Sequence, residues 1–196
     1  MSKTPPGGGE GADGGNDARL GALLDEVSAR SLPPVHAWHP TRRGDIDIRI
    51  ARDGEWFYQG SRIDRPRMVH LFSTVLRVDD EGTWLVTPEQ MLRIVVEDAP
   101  FTAAGLEVHG RGESQVLSFT TNVGEPVVVD AQHPIRVDYA HANAAPAPYV
   151  RVRDRLDALI LRQCFIDLAG LAEVRGEQAG VLSSGHFMVL GPAGEG

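Results

Sequence analysis

The stretch from Asp154 to Ala172, DRLDALILRQCFIDLAGLA, carries the strongest helical pattern in the chain. Wound at 3.6 residues per turn, Arg155, Arg162, Gln163, Asp167 and Glu173 fall on one arc of about 140°. Leu156, Leu159, Ile160, Cys164, Phe165, Leu168 and Leu171 fill the remaining face. So broad an apolar face needs a sheet to cover it, and most of the preceding chain reads as short alternating strands. The expectation is an α+β fold in which helix 154–172 plugs a curved antiparallel sheet.

Beyond Pro88 the pattern is nearly all strand: MLRIVVED, AAGLEVHG, QVLSFTTN, EPVVVD, IRVDYA and YVRVR, with glycine- or proline-bearing turns between them. Six strands about ten residues apart, followed by one wide-faced helix, predict a small barrel or sharply bent sheet under a helical cap. A last strand, GVLSSGHFMVLG, closes the chain. Upstream, Ile46, Ile48 and Ile50 alternate with Asp47 and Arg49, Asp53-Gly54 supplies a tight turn, and Trp56, Phe57 and Tyr58 form the return strand of a hairpin. A short helix is predicted over Asp64–Leu76, starting near Pro66. The strands LRVD and TWLVT then make a second hairpin through Asp80-Glu81-Gly82. Residues Asp17–Arg30 show helical spacing, and the Gly- and Pro-rich segment 1–16 reads as a disordered tail. The resulting division is a tail at 1–16, an N-terminal α+β domain at 17–87, a barrel-like domain at 88–191 and a tail at 192–196.

The two helical regions echo one another. Arg62-Ile63-Asp64 precedes Phe72 by the interval at which Arg155-Leu156-Asp157 precedes Phe165, and each is followed by a Gly-x-aromatic-x-Val strand, at Gly82 and Gly185. A duplicated unit would set two related domains face to face and make their interface the natural ligand site.

Composition excludes several functions. A formal charge of -8 repels polyanions, so neither a nucleic-acid nor a membrane-surface role is expected. Cys164, the single cysteine, permits no disulfide framework and no thiolate metal cluster. No apolar run approaches a membrane span, and MSKTPPGGGEG lacks the features of a signal peptide, so a cytoplasmic location is expected. His36 and His39 stand three apart without a third metal ligand, and the other histidines show no ligand spacing. Gly110-x-Gly112 lacks the context of a phosphate loop, and Ser183-Ser184-Gly185 is no nucleophile elbow. Neither a cofactor nor a metal is expected.

The segments PPVHAWHP, GDIDIRIARDGEWFYQGS, LFSTVLR, LVTPEQ, VEDAPF, TTNVGE, HPIRV, PYVRVR, LDALILR and GVLSSGHF, in that order, resemble the bacterial family known as domain of unknown function 1285. The resemblance spans His36 to about Leu190; Arg43 stands where the family often has cysteine and Leu182 where tryptophan is usual. It implies two related α+β domains, the second superficially like a pleckstrin-homology barrel with its C-terminal helix. It also implies a nucleotide-like ligand at the interface and a part in signal transduction, with no established enzymatic activity.

The leading functional expectation is thus a non-enzymatic module that binds a small anionic, nucleotide-like molecule between its domains, with a signalling protein as a possible partner. Alternatives are an enzyme using Asp47, Asp98 or His133 as acid or base, and a protein-interaction scaffold. In PYVRVR, Tyr149, Arg151 and Arg153 share one strand face, two guanidinium groups beside an aromatic plane suited to a base and a phosphate. The first half offers Arg49, Trp56, Tyr58 and Arg62 to the same site.

Overall fold

The computed structural model describes residues 32–139 and 146–193. The expected tail 1–16 and helix Asp17–Arg30 lie outside these residues, as do His141 and the end of the tail 192–196.

The first unit holds β1 (Arg42–Ile50), β2 (Trp56–Tyr58), β3 (Ser61–Arg62), α1 (Pro66–Thr74), β4 (Leu76–Asp79), β5 (Gly82–Val86) and β6 (Gln90–Val96). Strand β1 buries Ile46, Ile48 and Ile50, the alternation read from the sequence. It turns through Gly54 into β2, as expected of the first hairpin, and β4 and β5 form the second. Gln59 (φ 48°) and Gly60 (φ 75°) are both left-handed, the requirement of the two-residue turn that joins β2 to β3. Pro66 opens α1 in the first turn, where its missing N–H costs nothing. The six strands form one sheet in the order β3-β2-β1-β6-β5-β4, antiparallel except for the central pair β1–β6. Because β6 pairs with β1 and β5, it belongs to the first sheet and not, as a division after residue 87 has it, to the second.

The second unit repeats the plan with β7 (Phe101–His109), β8 (Val116–Thr121), β9 (Pro126–Val128), β10 (Ile135–Asp138), β11 (Ala147–Arg153) and β12 (Leu156–Ile160). Their order is β10-β11-β12-β7-β8-β9, and again the pair made by the first and last strands, β7 and β12, is parallel. Read from the other end, each strand of this sheet stands where the strand six earlier stands in the first. The duplication is therefore present, but in another frame than the sequence echo. The echo aligned the β3–α1 segment with 155–165, whereas the topology matches β3 to β9 and β6 to β12.

The predicted helix 154–172 is corrected accordingly. Its first third is strand β12, and α2 spans only Arg162–Ala169. Leu156, Ala158 and Ile160 point into the core at the period of a strand, while Asp157 between them pairs with Arg151 on the adjacent β11 and with Arg136 on β10, one strand further. After α2 come β13 (Glu173–Arg175), β14 (Gln178–Ser183) and β15 (His186–Pro192), a three-stranded sheet where a single last strand was expected. Ser183 ties it to the second unit: its buried Oγ donates to Val129 O (2.7 Å) and accepts from Leu117 N (2.9 Å).

The hydrophobic core is continuous across both units. One cluster runs from Ile48, Trp56 and Phe72 through Phe101, Leu117 and Val150 to Leu190. Among the described residues no helix is long and apolar enough to cross a membrane.

A cavity at the junction of the two units

The turn between β1 and β2 meets the turn between β8 and β9. At the first, Gly54 adopts φ 85°, and Asp53 Oδ1 accepts the N–H of Glu55 (3.0 Å). At the second, Asn122 binds both ways: its Nδ2 donates to Gly54 O (3.0 Å) and its Oδ1 accepts from Thr102 N (3.1 Å). A methyl group on Gly54 would stand 2.7 Å from Asn122 Nδ2 and 3.2 Å from Thr102. Glycine is thus required here twice over, by the backbone angle and by the close approach.

Beside this clasp lies a cavity of about 360 Å³, walled by Asp53, Glu55, Trp56, Arg62 and Asp64 from the first unit and Asn122 from the second. Its size lies within the range of roughly 300–1,000 Å³ usual for small-molecule pockets. Trp56 is 2% exposed and stacks on Phe72, ring centroids 6.1 Å apart. Its indole N–H is the one buried side-chain donor without a hydrogen-bond partner among the described residues. A buried donor left unpaired costs about 1–3 kcal/mol. Arg62, on the rim, pairs with Glu55 (3.0 Å) and Asp64 (3.4 Å). Tyr58 and Arg62 also line an adjoining hollow of about 330 Å³ with Arg65 and Met68.

Of the residues singled out in the sequence, the structure brings Trp56 and Arg62 to the junction cavity and Tyr58 with Arg62 to its neighbour. Arg49, Tyr149, Arg151 and Arg153 line neither. Arg49 pairs with Glu97 and covers the Phe57 ring at 4.3 Å. Arg151 is held by Asp157 (2.5 Å) and by Asp154 O (2.6 Å). Arg153 reaches from the second unit to Ser73 O at the end of α1 (2.6 Å), pairs with Glu125 (2.7 Å) and lies over Phe101. The Tyr149 hydroxyl donates to Asp98 Oδ1 (2.7 Å), and Arg52 Nε grips the other oxygen (3.0 Å). Burial, and then the Asp98 carboxylate, push the Tyr149 hydroxyl up to about 12. Arg153 and Tyr149 thus fasten the two units together, whereas Arg49 and Arg151 are tied within their own.

Asn122, Asp98, Asp157 and Glu125 were not singled out as ligand or clasp residues. An Asn-x-Gly run at a strand end signals a turn, and that signal marks Asn122. The acids carry no local mark. His133 sits in a turn where Asp130 Oδ1 accepts its N–H and contacts its Nδ1 (3.0 Å), a structural setting. Asp79 likewise serves a turn: burial works to raise its carboxyl, but bonds from Trp84 Nε1 and the N–H groups of Glu81 and Gly82 outweigh that and hold it below the usual value. Among the described residues no group of three acids, histidines or cysteines is arranged for a metal.

Comparison with known proteins agrees with this architecture. The family model for domain of unknown function DUF1285, N-terminal domain, matches residues 33–99, and that for the protein of unknown function DUF1285, C-terminal domain, matches residues 100–190. The boundary between them follows β6. A crystal structure of a DUF1285 family protein from Silicibacter pomeroyi DSS-3 is similar over 88% of this chain and 94% of its own, with 47% identity and a TM-score of 0.83. Another, from Shewanella baltica OS155, covers 63% of this chain and 90% of its own at 21% identity, TM-score 0.50, and shares the fold. No curated protein matches the chain. With both domain models matched in sequence and in the order of its two sheets, the chain belongs to the DUF1285 family.

Proposed function

We propose that the protein is a non-enzymatic ligand-binding module, serving signal transduction as the family resemblance implies, and that its ligand occupies the junction cavity. The observation that carries this reading is the polar-walled cavity that the two units share, lined among others by Trp56, whose buried indole N–H has no partner among the described residues. A buried donor left without a partner calls for an explanation, and on a residue that lines a pocket an acceptor brought by a ligand supplies one. In this reading the second unit is the pleckstrin-homology-like half, with α2 as its cap.

The charge of the wall narrows the ligand. Asp53, Glu55 and Asp64 present three carboxylates against Arg62, which two of them already engage. A phosphate tail would meet like charge, whereas a flat heterocycle with donor groups finds acceptors there. The proposal is therefore a nucleoside-like ligand, neutral or cationic, in place of the anionic molecule expected from the sequence.

The test is a thermal-shift series with adenosine, guanosine, cytidine and uridine beside their mono- and triphosphates, followed by tryptophan fluorescence. At 100 times its dissociation constant a true ligand adds about 2.7 kcal/mol of stability. A nucleoside should bind more tightly than its phosphates and perturb emission in the parent protein but not in Trp56→Phe. Tighter binding of the phosphates, or no shift with any compound, would overturn the assignment.

A further inference from the structure

A second cavity, of about 380 Å³, opens elsewhere on the molecule and has the opposite character. Its walls are Pro148, Leu159, Leu161, Phe165 and Ile166, with Arg52 and Arg162 as the charged members. None of its ten lining residues is an acid. Leu161 and Ile166 are 36% and 53% exposed, an unusual cost for large aliphatic side chains unless something covers them.

The two guanidinium groups have bonding capacity left. Asp98 holds Arg52 through its Nε at 3.0 Å, and the Arg52 side chain is 69% exposed. Arg162, in the first turn of α2, has no ion-pair or hydrogen-bond partner among the described residues. What sets Arg162 and Arg52 apart is their place: they are the charged residues of a hollow whose lining holds no acid, in a chain of net charge -8.

We infer that this cavity is a binding site for a small amphiphilic monoanion, a medium-chain carboxylate whose tail lies against Leu159, Phe165 and Ile166 and whose head meets Arg162 and Arg52. Guanidinium forks a carboxylate through two parallel N–H bonds, and the apolar wall supplies the area that a bare anion could not use. A nucleoside polyphosphate has too little apolar surface for such walls. The site is independent of the junction cavity and stands or falls apart from it.

The experiment is calorimetric titration of the full chain with octanoate, octanol and octylamine at low salt. Octanoate should bind at least tenfold more tightly than octanol, octylamine should not bind, and added salt should weaken octanoate alone. Arg162→Gln, at an exposed position where folding is not at stake, should cost octanoate about tenfold or more and leave octanol unchanged. Ile166→Asp, likewise exposed, should abolish binding of both. Absence of octanoate binding would overturn the inference. So would equal affinity for octanol, or an Arg162→Gln variant that binds octanoate as the parent does.

Discussion

Tyr149 shows how much a single side chain can be asked to do. Chosen in the sequence as a stacking platform, it is 8% exposed and hydrogen-bonds the acid that also anchors Arg52. Its proton is held more tightly in the folded chain, where the hydroxyl titrates at about 12, than in an unfolded chain, where a tyrosine titrates near 10. Its contribution is therefore complete below pH ~10 and is lost as the pH rises from about 10 towards about 12. Tyr149→Phe should cost about 1.5–3 kcal/mol at pH 8, the worth of a hydrogen bond to a charged group. In urea titrations at rising pH, the gap between parent and variant should close over that interval. A gap that stays constant would mean that the bond to Asp98 does not control the proton. What made Tyr149 and its arginine neighbours look like a site, an alternation of aromatic and basic residues, is a property of one strand face. Asp98 and Glu125 lie 51 and 28 residues from Tyr149 and Arg153, beyond the reach of local pattern, and Asp157, six residues from Arg151, faces it only because β12 folds back on β11.

Elements differ in how openly the sequence declares them. The hairpins at 42–58 and 76–86 and helix α1 carry the alternation of β1, turn glycines and a first-turn proline, so local rules and tertiary packing agree. The segment Leu156–Ile160 satisfies two periods at once. Its apolar residues at 156, 159 and 160 fit a helix, and those at 156, 158 and 160 fit a strand. The parallel partner β7 decides in favour of the strand, and that pairing leaves no trace in the local sequence. The same shift changes the energetics of the phenylalanines. Phe165, on the shortened α2, is only half-buried and borders the apolar cavity, whereas Phe72 on α1 is fully buried against Trp56. Phe72→Ala should cost about 3–5 kcal/mol, and Phe165→Ala clearly less, since a side chain already beside a cavity leaves little new void. Denaturant melts of the two variants would decide it; equal losses would place Phe165 in the core after all.

At the scale of the whole molecule, the repeated sheet order was beyond the sequence, because duplicated topology here survives without duplicated residues. The junction is equally hidden, since Asn122 and Gly54 are 68 residues apart. Asn122→Ala would remove the bonds to Gly54 O and Thr102 N and should lower stability by about 1–3 kcal/mol. If those bonds couple the units, calorimetric unfolding should also lose cooperativity, separating into two transitions. A single transition at unchanged temperature would show that the continuous core alone holds the units together.

The parallel pairing of β1 with β6 has a consequence for synthesis. Residue 50, the end of β1, and residue 90, the start of β6, are 40 positions apart, so at ~5–20 residues per second a ribosome needs about 2–8 s to deliver the partner. During that time one edge of a strand carrying Ile46, Ile48 and Ile50 is open to any other extended chain. Nascent chains exposed as far as residue 87 should be cut readily by added protease, and those exposed beyond residue 99 should resist. The interval between the two is when this protein most needs a chaperone.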